Sequence, residues 1–158
     1  MRIIMMTLLS AFLLLSCSKN KNTQRQADSI LSLSYSDQGM EAYGHSYFVE
    51  RCSDGATIII GEGTPDEMVF KTDTGIFNDL QVVIDKYRMY KYKKRYKQHL
   101  SVMDGNSWSF NVRYSNAELE INTRGENAWP KDGSIAFSEI VECFEKAVRK
   151  EGKTLNVN

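Results

Sequence analysis

Apolar and polar positions alternate without a break from Trp108 to Tyr114: Trp108, Phe110, Val112 and Tyr114 are separated by Ser109, Asn111 and Arg113. Leu119, Ile121 and Thr123 alternate in the same way with Glu118, Glu120 and Asn122. A period of two marks a strand with one buried face. Folding the runs about Asn116-Ala117 sets Tyr114 opposite Leu119, Val112 opposite Ile121 and Arg113 opposite Glu120, so that both bury the same face. A turn of odd length would put the two apolar sets on opposite faces, so the spacing predicts the register. Upstream, Ser46–Cys52, Thr57–Ile60 and Glu67–Lys71 read as strands. They are separated by the turn residues Ser53-Asp54-Gly55 and Gly61-Glu62-Gly63-Thr64-Pro65. The run Ile58-Ile59-Ile60 suits a strand covered on both faces or one near the sheet centre.

Two segments change the period to that of a helix. Asp73 or Thr74 can cap the first, whose apolar face carries Ile76, Leu80, Val83, Ile84 and Tyr87 and which fades near Tyr90. The second begins at Asp132 or Ser134, carries Phe137, Ile140, Val141, Phe144 and Val148, and ends at Gly152. The order is strands, helix, β-hairpin, helix. An α+β fold follows, an antiparallel β-sheet with two helices packed on one face, forming a single domain over residues 30–158.

The first 29 residues do not belong to that pattern. Met1-Arg2 supplies one positive charge, and Ile3 to Leu15 is apolar apart from Thr7 and Ser10. A charged start, a short apolar core and a small residue at its end are the parts of a signal peptide, and about 13 residues is short for a membrane span. The end of the run, Leu14-Leu15-Ser16-Cys17, resembles the bacterial lipoprotein lipobox. That resemblance implies cleavage after residue 16, diacylation of the Cys17 sulfur and usually N-acylation of the new terminus. Residues 17–29 are then the acylated cysteine and a tether. Ser18 to Ser29 holds no large apolar residue and spans roughly 20 Å as a coil. Ser rather than Asp at position 18 resembles the pattern sent to the outer membrane. The run after Cys17 is basic, unlike the acidic runs that mark surface display in Bacteroidetes-type lipoproteins, so the expected location is the periplasm-facing leaflet. Asp28-Ser29-Ile30 also resembles the O-glycosylation site of that phylum, a match of three residues only.

Removing residues 1–16 from 158 leaves 142, enough for one domain with a real core. Only Arg2 among the charges is lost, so 19 basic and 20 acidic side chains remain. A net charge near −1 gives no global drive toward nucleic acid or an anionic membrane. With Cys17 used by the lipid, Cys52 and Cys143 are left either bridged or as two free thiols. Export would permit a bridge, whose loop of about 90 residues would contribute roughly 4 kcal/mol in the chain-entropy model.

The candidate binding surface is the window Tyr90, Tyr92, Lys93, Lys94, Arg95 and Tyr96, in the most basic stretch of the chain, together with Trp129. Aromatic faces beside cationic groups suit an anionic glycan, a phosphate or an acidic protein. The same composition also describes, and more readily, a solvated loop whose tyrosines turn their rings inward while the lysines snorkel. Trp108 sits in the core by its place in the alternation, and Trp129 either edges a pocket beside it or covers the helix face. No nucleophile elbow, zinc-helix motif or paired-cysteine pattern appears, and two histidines cannot make a His-rich metal site. His45 and Cys52 are seven apart, so on one strand they point to opposite faces. Asp37, Glu41 and His45 are spaced four apart, but Gly39 and Gly44 spoil a helix that would align them. No catalytic residue, metal or cofactor is expected.

Met89-Tyr90-Lys91-Tyr92, Asp104-Gly105-Asn106-Ser107-Trp108 and Gly125-Glu126-Asn127-Ala128-Trp129-Pro130 together resemble a family of small uncharacterised envelope lipoproteins common in Bacteroidetes. In that family a Tyr-rich helix end precedes a D-G-x-x-W strand and a G-x-N-A-x-P turn. The resemblance covers residues 65–145 and implies the fold and the lipid anchor, with no activity attached. The expectation is a membrane-anchored periplasmic lipoprotein, not an enzyme, that binds an envelope protein or glycan. The alternative is an immunity protein or protease inhibitor that neutralises a toxin or protease in the periplasm.

Overall fold

The computed structural model describes residues 29–39, 44–98 and 105–152. The expected signal peptide, Cys17, Glu41, His99 and Asp104 lie outside these residues. Four strands come first, β1 (Ile30–Gln38), β2 (His45–Cys52), β3 (Gly55–Ile60) and β4 (Met68–Thr72), followed by α1 (Gly75–Lys86). A short β5 (Arg95–Lys97), the pair β6 (Ser107–Tyr114) and β7 (Ile121–Glu126), and α2 (Gly133–Lys150) complete the fold. The strands form one sheet in the order β4-β3-β2-β1-β6-β7-β5. Every neighbouring pair is antiparallel except β5 with β7, which is parallel. The fold is therefore α+β.

The alternation decides which face is buried. Leu33 lies opposite Val49 and Val112, Tyr35 opposite Tyr47 and Phe110, and Val49 opposite Ile58. All seven are buried. Against them lie the α2 rings Phe137, 4.9 Å from Tyr35 and 5.6 Å from Phe110, and Phe144, 5.5 Å from Tyr47. Phe77 of α1 lies 4.3 Å below the Arg51 guanidinium of β2. Between the helices, Tyr87 donates its hydroxyl to Glu139 at 2.6 Å, and Lys86 reaches the same carboxylate at 2.6 Å. The other face carries a polar ladder between β1 and β6. Ser36 meets Ser109 at 2.8 Å, Asn111 donates to Ser34 at 3.2 Å, and Arg113 Nε donates to Ser32 at 2.9 Å.

Several expectations change at this level. Val112 does lie opposite Ile121, as the spacing requires. The link between β6 and β7, however, folds Ala117–Leu119 into a 3-10 turn that buries Leu119. Arg113 is engaged by Ser32 and, at 3.4 Å, by Glu50, rather than by Glu120, because β1 and then β2 lie on its other side. Ile58 and Ile60 are buried but Ile59 is only half-buried, in register with Phe48 and Val69 on the second face. The isoleucine run is thus one strand in from an edge and covered on one face. The basic window, read as a loop, supplies β5 and so an extra strand before the hairpin. The first helix stops at Lys86, with Arg88 at φ +50° turning the chain into a 3-10 segment at Met89–Lys91. At its other end Asp73, not Thr74, makes the side-chain bond, accepting from Gly75 N at 2.6 Å.

Candidate functional site

The two segments flanking the hairpin lock together and build one end of the sheet. Asn127 N donates to Asn106 O at 2.8 Å, while Asn106 N donates to Asn127 Oδ1 at 2.8 Å. Asn127 sits at φ +50°, a left-handed position that its short amide tolerates. This clasp holds the turn so that Trp108 Nε1 donates to Ala128 O at 2.9 Å. The Trp129 ring then stacks on Trp108 at 5.3 Å and an interplanar angle of 16°. Trp108 is 2% exposed and Trp129 is 36% exposed, so one indole is core and the other is surface over it.

Beside this stack runs an open groove of about 500 Å³. Its floor comes from β1, where Tyr35 and Asp37 share the face of Leu33. One wall is a stripe along α2, with Ser134, Phe137, Ser138, Val141, Glu142 and Glu145 at spacings of three and four. Trp129 forms the rim. Asp37 lies in a cross-strand row, opposite His45 on β2 and Trp108 on β6. Its Oδ2 accepts from the Tyr35 hydroxyl at 3.4 Å, and its Oδ1 is shut off from solvent with no hydrogen-bond partner among the described residues.

Burial raises the Asp37 carboxyl above its ordinary value of 3.8, against smaller lowering effects of the Tyr35 hydroxyl and of His45. Burial, then the Asp37 charge, pushes the Tyr35 phenol up. Burial and Glu145 do the same to Tyr47. A carboxyl whose folded pKa is raised binds protons more readily in the native state than in the unfolded one. Its stabilisation is complete below 3.8 and is lost as pH rises through the raised value. Asp37→Asn is therefore expected to remove that loss, leaving urea stability at pH 7 equal to or above the parent's and flattening its fall above pH 4. A variant that is less stable at pH 7 and keeps the slope would contradict this.

The basic window divides. Tyr92 packs edge-on against Phe137 at 6.4 Å and Tyr96 at 6.5 Å, and Tyr96 lies 5.8 Å from Trp108. Burial pushes the Tyr92 phenol up to about 12. Tyr90 is half-buried against the core. The Tyr96 hydroxyl accepts from Lys93 N at 2.9 Å, and Arg95 and Lys97 both pair with Glu126, at 2.7 and 3.4 Å. Lys93 and Lys94 are exposed. The tyrosines thus turn inward and β5 spends its charges on β7. Of the candidate surface residues, only Trp129 lines the groove.

Cys52 and Cys143 are free thiols. Cys52 shares the sheet face of Glu50 and lies 3.3 Å from Thr57 Oγ1, whereas Cys143 is buried on α2, so a bridge is not formed. Burial, with Asp79, pushes the Cys143 thiol up to about 11. Iodoacetamide at pH 8 is expected to modify Cys52 first and Cys143 roughly tenfold more slowly until the chain unfolds, as peptide mass mapping would register. Equal rates would count against the packing of α2.

Tyr35, Glu142 and Glu145 were not singled out by the sequence, and Asp37 was named only in its spacing with Glu41 and His45. The only hint was the Asp37/His45 spacing, which a helix could not use but the β1–β2 hairpin does. Among the described residues no three His, Cys, Asp or Glu side chains gather as a metal site, and no helix is long and apolar enough to cross a membrane. Comparison with protein-family models and with curated proteins finds no match.

Proposed function

We propose that the chain is a lipid-anchored periplasmic protein that acts without catalysis, holding an envelope protein or glycan in the groove beside Trp129. The anchor rests on Leu14-Leu15-Ser16-Cys17. The binding reading rests on one observation, a surface indole stacked on a buried one at the rim of a cavity whose size falls in the usual ligand range. Large rigid rings give contact area at little cost in conformational freedom, which is why they dominate recognition surfaces. In this reading both helices cover the same face of the sheet, supported by the contacts of Phe137, Phe144 and Phe77, and the opposite face plays no part in binding.

Intact-mass analysis of the native protein tests the anchor, the expected product being an acylated chain beginning at residue 17. Photo-crosslinking tests the groove. A photoreactive residue at Ser138, in the groove, is expected to capture a discrete envelope component, and one at Asn122, on the opposite face, is not. Capture from position 122 alone, or from neither position, would overturn the proposal.

A further inference from the structure

We propose that β4 is a docking edge for a second copy of this chain, the two sheets joining antiparallel across a twofold axis at Val69. This goes beyond the groove reading and does not rest on it. β4 closes one side of the sheet and has β3 as its one neighbour among the described residues. Which of its backbone groups are free follows from the ladder. Gly61 N donates to Ser46 O at 2.9 Å, so along β3 the odd-numbered residues bond β2 and the even-numbered ones turn to β4. The partners of Ile58 and Ile60 on β4 are Phe70 and Met68. Val69 and Lys71 therefore aim their N–H and C=O groups away from the sheet, an open template for another strand. The Val69 side chain is 55% exposed.

The side chains of this edge complement their own copy. Centring the twofold on Val69 sets Val69 opposite Val69, Met68 opposite Phe70 and Glu67 opposite Lys71. Opposite charges then meet at both ends of the contact. Moving the centre one residue to Phe70 would set Glu67 against Asp73 and Val69 against Lys71, and both matches are lost. Lys71 is free to take part: its 3.1 Å contact with Asp54 is an exposed ion pair, of little worth in water. Glu67 accepts from Gly63 N through Oε2 at 2.8 Å, which leaves Oε1 for the lysine of the second copy. The apolar row also continues. Phe48, Ile59 and Val69 lie in register across β2, β3 and β4, and at the axis they meet the same row of the second copy. The far edge has no such match, since pairing β5 with its own copy about Tyr96 would set Arg95 against Lys97.

Disulfide trapping tests the contact. The full chain is expressed with Val69→Cys in a Cys52→Ser background, the cells are treated with copper phenanthroline, and dimer is read on a non-reducing gel. Facing residues of a bonded antiparallel pair lie about 5.5 Å apart at Cα, within disulfide reach. Cys52→Ser alone is the blank, and Val82→Cys, at a position on α1 that is 66% exposed, reports chance collision. Val69→Cys is expected to give at least roughly tenfold more dimer than Val82→Cys, because docking raises the effective concentration of the facing thiols. Adding Lys71→Glu is expected to lower that dimer about tenfold, since two facing pairs turn from attraction to repulsion. Glu67→Lys alone should do the same, and the two charge changes together should restore the dimer. Far-UV circular dichroism of each purified variant, matching the parent, separates lost docking from lost fold. Equal dimer from positions 69 and 82, no loss in either charge variant, or no recovery when both are combined overturns the proposal. A Val69→Cys adduct with a different protein in place of the dimer overturns the second copy as the occupant.

Discussion

Phe137→Ala is expected to destabilise the domain by about 3–5 kcal/mol, the range for deleting a fully buried ring that leaves a cavity behind. Phe137 is 2% exposed and touches more rings than any other described side chain. Tyr35 lies at 4.9 Å, Trp108 at 5.0 Å, Phe110 at 5.6 Å, Trp129 at 5.9 Å and Tyr92 at 6.4 Å. It therefore ties β1, β6, the basic window and the Trp129 turn to one helix position. These neighbours belong to four separate stretches of chain, so they cannot close on the vacancy together, which places the cost high in the range. Urea unfolding followed by far-UV circular dichroism measures it, with the midpoint moving and the slope unchanged. Ile135→Ala on the same helix, where the side chain is 55% exposed, is expected to stay within about 0.5 kcal/mol of the parent. A loss below about 1.5 kcal/mol for Phe137→Ala would mean that the rings do not converge as described.

Gly125→Ala is expected to cost about 2–4 kcal/mol although it adds a single methyl group. The backbone at Gly125 is not in the left-handed region, so the requirement is one of space. A Cβ there would run into the Trp108 indole and the Ala128 carbonyl oxygen, the two partners of the bond that seats the indole. Relief requires Trp108 to move, which breaks a buried hydrogen bond and disturbs its stack with Trp129. The expected signature is a lower melting temperature together with a red shift of tryptophan emission. Gly63→Ala is the control for backbone alone: φ is +76° and nothing lies within 4 Å, so it should lower stability without shifting the emission. An unshifted emission in Gly125→Ala would mean that the indole and this glycine are not in contact.

Much of the fold can be read from alternation because a strand with one buried face has no other way to be written. Trp108 to Tyr114 and Leu119 to Thr123 carry enough signal to fix the pairing of Val112 with Ile121. The helices are equally plain in Ile76 to Ile84 and Phe137 to Val148. Strand order leaves no such trace. Nothing in the local pattern says that β1 enters between β2 and β6, and so nothing predicts that Arg113 meets Ser32 and Glu50 instead of Glu120. β5 was hidden for a different reason. At three residues it is too short for periodicity to register, and its parallel pairing with β7 and the contacts of Tyr96, Arg95 and Lys97 come from distant parts of the chain. The groove was the least legible part, since Asp37 and Glu142 are 105 positions apart and meet only through the packing of α2 on the sheet. Trp129 could be found, as an aromatic outside the periodic pattern.

The direction of β1 bears on the proposed anchor. The strand begins at Ile30 and reaches the groove at Asp37. Seven steps of an extended chain cover about 23 Å. On the proposed anchoring at Cys17, the Ile30 end of β1 is the one that follows the anchor in the chain, and the Trp129 rim lies at the opposite end of the strand. On that proposal the length of the strand adds to the distance from the bilayer at which a partner can be engaged.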